Sequence, residues 1–341
     1  MSKKPKLYVQ DPPFAVQIEL VEGCNLRCPF CGLNGIRGKA NDYKMMEAGK
    51  LSEAIKEMVS LNWNPRIEFA MHGEPTMHDD FVGMVAVVRK AAPKYQIMMT
   101  SNGGGLLRKP GPLENIKRLF QAGLNVLALD DYQHANIVPK IRAAIPEDNS
   151  DTNGMVNSGI MHIDGVKVYE YPENKDGNPH SRGHKQSLTF IQAIDVATEG
   201  THAHLNNHAG AGAPPSDVMQ GRRCAKPFRE LSIRWDGSVA VCCNDWRGLY
   251  KCGNVFVDGV AEVWNGALMD AARRKLYHGQ RDFGPCRGCD ARSDRVGLLP
   301  DKFGKVDLPR PDATTAKTIA EALRGPSYTK PVLRPWEGGD K

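Results

Sequence analysis

The chain has 341 residues, 41% hydrophobic and 25% charged, with 45 Lys and Arg against 39 Asp and Glu for a net charge of +6. That composition is ordinary for a globular protein with a sizeable core, and no run of about 18 apolar residues is present to span a bilayer. The opening MSKKPKLYVQDPP lacks the apolar stretch of a secretory signal, and nine cysteines without one point to a reducing, cytoplasmic setting.

Residues 1–13 read as an extension before the first element. Strands are expected at 14–21, 66–71, 96–100, 125–129, 166–171 and 187–194, and helices at 45–61, 79–91, 113–122 and 134–144. Alternation of this kind builds a parallel sheet covered by helices. The expected fold class is α/β, with six strands forming a partial (β/α)6 TIM-type barrel over residues 14–210. The polar stretch 146–165 reads as a long loop over the barrel mouth, and the run from His208 to Pro215 as a linker. Residues 211–290 read as a small α+β domain. It has a hairpin about Asp236-Gly237 with arms at 230–235 and 238–241, a helix over 260–277, and a closing C-x2-C. Residues 291–341 form a Pro-rich tail with one helical stretch at 315–323, and the chain contains no internal repeat.

In barrels of this kind the chemistry sits on loops that follow the strands, and the polar punctuation falls there. Cys24, Cys28 and Cys31, spaced C-x3-C-x2-C after the first strand, offer three thiolates to one iron–sulfur cube. A cube has four irons, so one is left without a protein donor and is free to bind and activate a small molecule. Zinc would want a nearby fourth Cys or His, and the sequence provides none there. His72-Gly73-Glu74-Pro75 follows the second strand, Ser101-Asn102-Gly103 the third, and Asp130-Asp131-Tyr132 the fourth. Cys224, Cys242, Cys243, Cys252, Cys286 and Cys289 lie beyond the linker and suffice to cage a second centre completely. By spacing alone, that centre is equally an iron–sulfur cluster or an all-cysteine zinc site. His202, His204 and His208 have metal-ligand spacing but no accompanying carboxylate or cysteine, and read as the turn into the linker.

The first cysteine motif, with Phe30 before its last cysteine, resembles the signature of the radical S-adenosylmethionine (SAM) superfamily. The second set, with Asp236-Gly237, Gly253-Asn254-Val255 and Val263-Trp264, is similar to the twitch domain, the shortened form of the SPASM extension. Together the resemblance covers residues 14–290 and implies two [4Fe–4S] clusters and SAM. The catalytic cluster would be held by Cys24, Cys28 and Cys31, its open iron chelating the SAM amino and carboxylate groups. The auxiliary cluster would be held by Cys224, Cys242, Cys286 and Cys289, with Cys243 or Cys252 an alternative ligand. Gly73, Glu74 and Pro75 match the glycine–glutamate–proline element that contacts the SAM amino group, with His72 standing where glycine is usual. Phe30 is expected on the adenine, and Ser101, Asn102 and Asp130 at the ribose or carboxylate.

The implied chemistry is reductive cleavage of SAM to a 5′-deoxyadenosyl radical that abstracts a substrate hydrogen atom. The outcome is oxidation or rearrangement of a small molecule, a nucleotide or a modified nucleobase, the work of an oxidoreductase or an isomerase. A flavodoxin or ferredoxin would supply electrons, and the mild positive charge suits such an acidic partner. Peptide maturation is a further reading, disfavoured by the dozen residues before the barrel. A non-catalytic iron–sulfur or zinc protein that binds nucleic acid is the alternative from another class. The missing fourth ligand near Cys24 and the absence of basic–aromatic clusters count against it.

Overall fold

The computed structural model describes residues 12–28, 30–35, 42–132, 135–145, 162–163, 166–170, 186–191, 207–212, 221–291 and 311–325. In chain order the first half contains β1 (Ala15–Ile18), β2 (Val21–Glu22), β3 (Lys44–Met45), α1 (Ala48–Ser60), β4 (Arg66–Phe69), α2 (Phe81–Ala91), β5 (Ile97–Ser101), α3 (Pro112–Gln121), β6 (Val126–Asp130) and α4 (Val138–Ala143). There follow β7 (His162–Ile163), β8 (Val166–Glu170), β9 (Ser187–Ile191), α5 (Lys226–Arg229), β10 (Glu230–Ile233), β11 (Ser238–Ala240), β12 (Lys251–Asn254), α6 (Val260–Asn265), α7 (Ala267–Tyr277) and α8 (Ala313–Arg324).

Strands β1, β4, β5 and β6 are short, mostly apolar runs, as strands covered on both faces require. They pair in parallel in that order, with Val16 opposite Ile67, Ile67 opposite Ile97, and Met99 opposite Leu127. Helix α1 turns Leu51, Ala54, Ile55 and Met58 inward, the spacing of one helical face. The Asp80 side chain accepts from Gly83 N at 2.8 Å to cap α2, and Pro112 opens α3 where its missing N–H costs nothing. This places the ends of β4, β5 and β6 side by side, each followed by one of the polar turns.

Boundaries differ from expectation where tertiary pairing intervenes. The helix expected from 45 starts at Ala48, because Lys44 and Met45 pair back on Glu22 and Val21. The helix expected over 260–277 breaks at Gly266, whose extended backbone (φ −68°, ψ 159°) ends α6 and opens α7. The last barrel strands are not in chain order: β9 lies beside β6, with Leu188 opposite Leu127, and β8 lies outside β9. Most of the loop expected over 146–165 lies outside the described residues, as do His202 and His204, while His162 and Ile163 form β7 against β8.

On the opposite edge β10 pairs in parallel with β1, Leu231 opposite Val16, and β11 and β12 continue the sheet antiparallel. The hairpin about Asp236-Gly237 therefore extends the barrel sheet instead of starting a separate one. Two further contacts join the parts. Glu57 of α1 accepts from Val260 N (2.8 Å) and Ala261 N (3.1 Å), capping α6, and Trp63 meets Trp264 edge-on at 6.4 Å. Helix α8, capped by Asp312 at Thr315 N (2.7 Å), lays Ala322 and Leu323 on the core. Among the described residues no helix is long and apolar enough to cross a membrane.

Candidate active site

The cysteine loop leaves β2 and is tied down at both ends. Cys24 Sγ accepts hydrogen bonds from Leu26 N at 3.3 Å and Asn102 Nδ2 at 3.4 Å, and Cys31 N donates to Cys28 O at 3.0 Å. Gly73, at φ +64°, lies flat against the loop's base; a Cβ there would sit 1.9 Å from Val21 O and 2.7 Å from Gly23 O. Only glycine fits. The next residue, Glu74, donates its N–H to Gly23 O at 2.8 Å, so β4 and the cysteine loop are bonded together at this turn.

The Glu74 carboxylate is buried and bonded within the protein. Its Oε1 accepts from Thr76 N (3.0 Å), Thr76 Oγ1 (2.6 Å) and Ser101 Oγ (2.5 Å), and its Oε2 from Asn102 N (2.7 Å). Burial raises its pKa and these four donors work against that rise. Of the two oxygens only Oε2 keeps ready acceptor capacity for a ligand. Asn102 is likewise occupied: Nδ2 also reaches Asn25 Oδ1 (3.1 Å), and Oδ1 accepts from Gly104 N (2.7 Å). Ser101 and Asn102 thus brace Glu74 and the cysteine loop. Pro75 opens a short 3-10 turn, Pro75–Met77, and does not line the cavity described next.

Every other residue expected at the SAM site lines one cavity of about 210 Å³: Cys24, Cys28, Cys31, Phe30, Gly73, Glu74, Ser101, Asn102 and Asp130. Tyr132, His208 and Trp246 also line it, with apolar surface from Leu26, Leu33 and Met71. Tyr132 lies near Phe30, ring centroids 6.2 Å apart, and its phenol is pushed well up by burial, Asp130 and the three cysteines. The Asp130 carboxyl is raised to about 7, by burial first and by Glu74 second. His208, read from sequence as part of a linker turn, is lowered to about 4 by burial and by His72, so it is neutral at pH 7. Trp246 follows the Cys242-Cys243 pair and lies against His72 (4.5 Å) and His208 (4.6 Å). Tyr132 belonged to a polar triplet already noted after the fourth strand; nothing local marked Trp246.

In the second cysteine set, Cys224, Cys242 and Cys286 are buried and Cys289 is half-buried. The Cys286 thiol is pushed well up by burial, then by Cys289 and Cys224; the Cys242 thiol is pushed up by burial, Cys243, Cys286 and Cys289. Cys286 thus lies near Cys224 and Cys289, and Cys242 lies near Cys286 and Cys289 as well as its neighbour Cys243. Cys243 turns toward Lys226, whose Nζ donates to its Sγ at 3.3 Å and to Glu230 Oε2 at 3.2 Å. Cys252 lies in the core with its Sγ 4.0 Å from Met269 Sδ.

All nine cysteines are free thiols. Gathering buried thiolates without a counter-charge is costly, and a metal centre supplies that charge. Among the described residues no three His, Cys, Asp or Glu side chains draw together as around a single ion. Free cysteine thiols are the donors that iron–sulfur clusters take, and both sets offer them.

A loop of three cysteines at the end of a parallel α/β barrel sheet, with a second cysteine set alongside, is what the resemblance to the radical SAM superfamily leads one to expect. The comparisons agree: residues 18–142 match the radical SAM superfamily and residues 224–290 an iron–sulfur cluster-binding domain, SPASM. The chain belongs to the radical SAM superfamily and carries a C-terminal SPASM domain. It is similar to the S-adenosyl-L-methionine-dependent 2-deoxy-scyllo-inosamine dehydrogenase of Niallia circulans, 19% identical over 276 residues, covering 81% of this chain and 92% of that one. A GTP 3′,8-cyclase of Klebsiella pneumoniae is 25% identical over 250 residues, covering 69% of this chain and 70% of the cyclase. Among solved structures, BtrN in complex with AdoMet and 2-DOIA superposes with a TM-score of 0.58 at 16% identity, covering 83% of this chain and 94% of BtrN. That likeness establishes the partial-barrel fold.

Proposed function

We propose that the 210 Å³ cavity binds SAM over Cys24, Cys28 and Cys31, and that the chain uses it to oxidise a small sugar-like alcohol. One observation carries this reading. The cavity is bounded on one side by the three-cysteine loop and on another by Trp246, three residues beyond the cysteine pair of the second set. A molecule held there lies between the two centres.

Cys24, Cys28 and Cys31 would hold a cluster with one open iron, which would supply the electron for SAM cleavage and with it the means of removing a hydrogen atom from a substrate. The protein's own part is to hold, orient and shield. Gly73 lets the turn pack against the Val21 and Gly23 carbonyls at the loop's base, and Glu74 Oε2, fixed by Asn102 N, would face the SAM amino group as a charged acceptor. Phe30 and Tyr132 offer aromatic faces to the adenine. Asp130, at about 7, is matched to accept a proton from a substrate hydroxyl near neutral pH. Leu26, Leu33, Met71 and Trp246 line the remainder with apolar surface that keeps water from a reactive species. Cys224, Cys242, Cys286 and Cys289 would hold a second, fully ligated cluster suited to accept an electron.

Net oxidation is supported by this single extra set of four cysteines and by the similarity to a SAM-dependent dehydrogenase over 81% of the chain. A nucleotide substrate is the second reading, favoured by the similarity to GTP 3′,8-cyclases. The test is anaerobic reconstitution with iron and sulfide, followed by SAM, dithionite and either a panel of cyclitols and aminocyclitols or GTP. About eight irons per chain and deoxyadenosine formation are expected, with one alcohol raising the yield and recovered two hydrogens lighter. Stimulation by GTP alone would move the assignment to nucleotides. A fully loaded protein that makes no deoxyadenosine would overturn the proposal.

A further inference from the structure

The residue before the Gly73-Glu74 turn is His72, at a position where the resemblance leads one to expect glycine. Its side chain is fully buried and reaches out of the barrel into the C-terminal part. His72 Nε2 lies 2.7 Å from Cys243 O, so that nitrogen carries a proton and donates it to the carbonyl. The ring stacks on Trp246 at 4.5 Å with a 29° interplanar angle. Nδ1 faces Glu19 Oε1 at 3.4 Å, and among the described residues neither atom has a hydrogen-bond partner.

Arg234 closes the arrangement. Its Nε lies 3.5 Å from Glu19 Oε2, its Nη2 donates to Glu22 Oε2 at 2.5 Å, and its Nη1 donates to Trp246 O at 3.0 Å. Trp246 is thus held by its ring through His72 and by its backbone through Arg234, and both holders converge on Glu19 at the end of β1. Burying an ionisable ring and a carboxylate carries a desolvation cost that an apolar filler would avoid. A glycine at 72 could make none of these contacts. What the arrangement joins is specific: the SAM-side turn, a wall of the cavity, and the carbonyl one residue past Cys242.

We propose that His72 is a positioning residue that couples the two cysteine sets, so that the surroundings of the auxiliary cluster respond to what occupies the SAM cavity. The proposal rests on the functional reading above and extends it. Contacts one layer out from a metal centre tune its potential, and a ligand that shifts Trp246 or Gly73-Glu74 shifts the imidazole bonded to Cys243.

The experiment is a redox titration of the auxiliary cluster in the fully loaded protein, with and without SAM, followed by electron paramagnetic resonance. In the wild type, SAM is expected to change the auxiliary reduction equilibrium about tenfold, or about 59 mV for a one-electron couple. His72→Gly should lose that response, and His72→Gln, which keeps a donor for the Cys243 carbonyl, should restore part of it. Should His72→Gly load iron poorly, Trp246→Leu breaks the same link from the other side and should also lose the response. An undiminished response in either loaded variant overturns the coupling. A wild type that cleaves SAM to deoxyadenosine but whose auxiliary potential ignores SAM overturns the coupling alone. A loaded wild type that cannot cleave SAM overturns both readings.

Discussion

The two cysteine sets differ in what they face. Cys24, Cys28 and Cys31 sit on a loop that borders a cavity, with Cys24 already accepting N–H···S bonds from Leu26 and Asn102. Cys224, Cys242, Cys286 and Cys289 lie close enough to influence one another's thiols, and none of them lines that cavity. On the function proposed above, enclosure and not the metal would separate the two roles. Three donors beside open space leave a coordination position for a reactant; four donors turned inward leave none, and so suit electron exchange without ligand binding.

The sharpest way to break this contrast is to damage each set in turn. Cys28→Ala is expected to lower SAM cleavage at least about a thousandfold, read as deoxyadenosine formed under dithionite, with the second cluster's spectrum intact. Retained cleavage would mean that the loop is not the reactive site. Cys289→Ala should remove about half of the bound iron while SAM cleavage persists without oxidised product. Cys252→Ser, in the core beside Met269, should leave the iron count unchanged. If Cys252→Ser lost iron and Cys289→Ala did not, the inward-facing set would have to be redrawn.

A smaller effect is expected at the turn beneath the loop. Gly73→Ala places a methyl group 1.9 Å from Val21 O at a positive φ, and should cost on the order of 3 kcal/mol in chemical denaturation and weaken SAM binding. Wild-type affinity and stability in that variant would show that the loop and β4 are not locked together. The smallest effect is electrostatic. Asp130 holds its proton up to about 7 when folded, against an ordinary carboxyl value of 3.8. Between those values the folded state binds one more proton than the unfolded state, so this group makes stability fall as pH rises from about 4 to about 7. Asp130→Asn removes that slope. Its stability relative to wild type should climb across the window and level off above it, as denaturation midpoints at several pH values would report.

Local sequence carried the barrel frame and most of the cavity. The C-x3-C-x2-C spacing, the Gly73-Glu74 pair and the polar residues ending β5 and β6 are short-range signals, and the structure brings them to one place. Long-range pairing was not legible. The runs at 166–170 and 187–191 both read as strands, and nothing in either says that β9 inserts between β6 and β8. Trp246 and His208 escaped for the same reason: each reaches the cavity through contacts distant in sequence, Trp246 by way of the β1–β10 pairing. The choice among Cys242, Cys243 and Cys252 could not be made from spacing either. That choice depends on which way each side chain points, and in the structure Cys243 bonds Lys226 while Cys252 lies against Met269.

The parallel register between β1 and β10 has a consequence for how this architecture can change. Strand β1 carries a row of backbone donors and acceptors that β10 satisfies, from Ala15 opposite Glu230 to Ile18 opposite Ile233. A chain cut short before residue 221 would bare that row as a sticky margin open to pairing with other molecules. The second metal-binding half is therefore no detachable accessory: discarding it over evolutionary time would require some other segment to seal the barrel's seam.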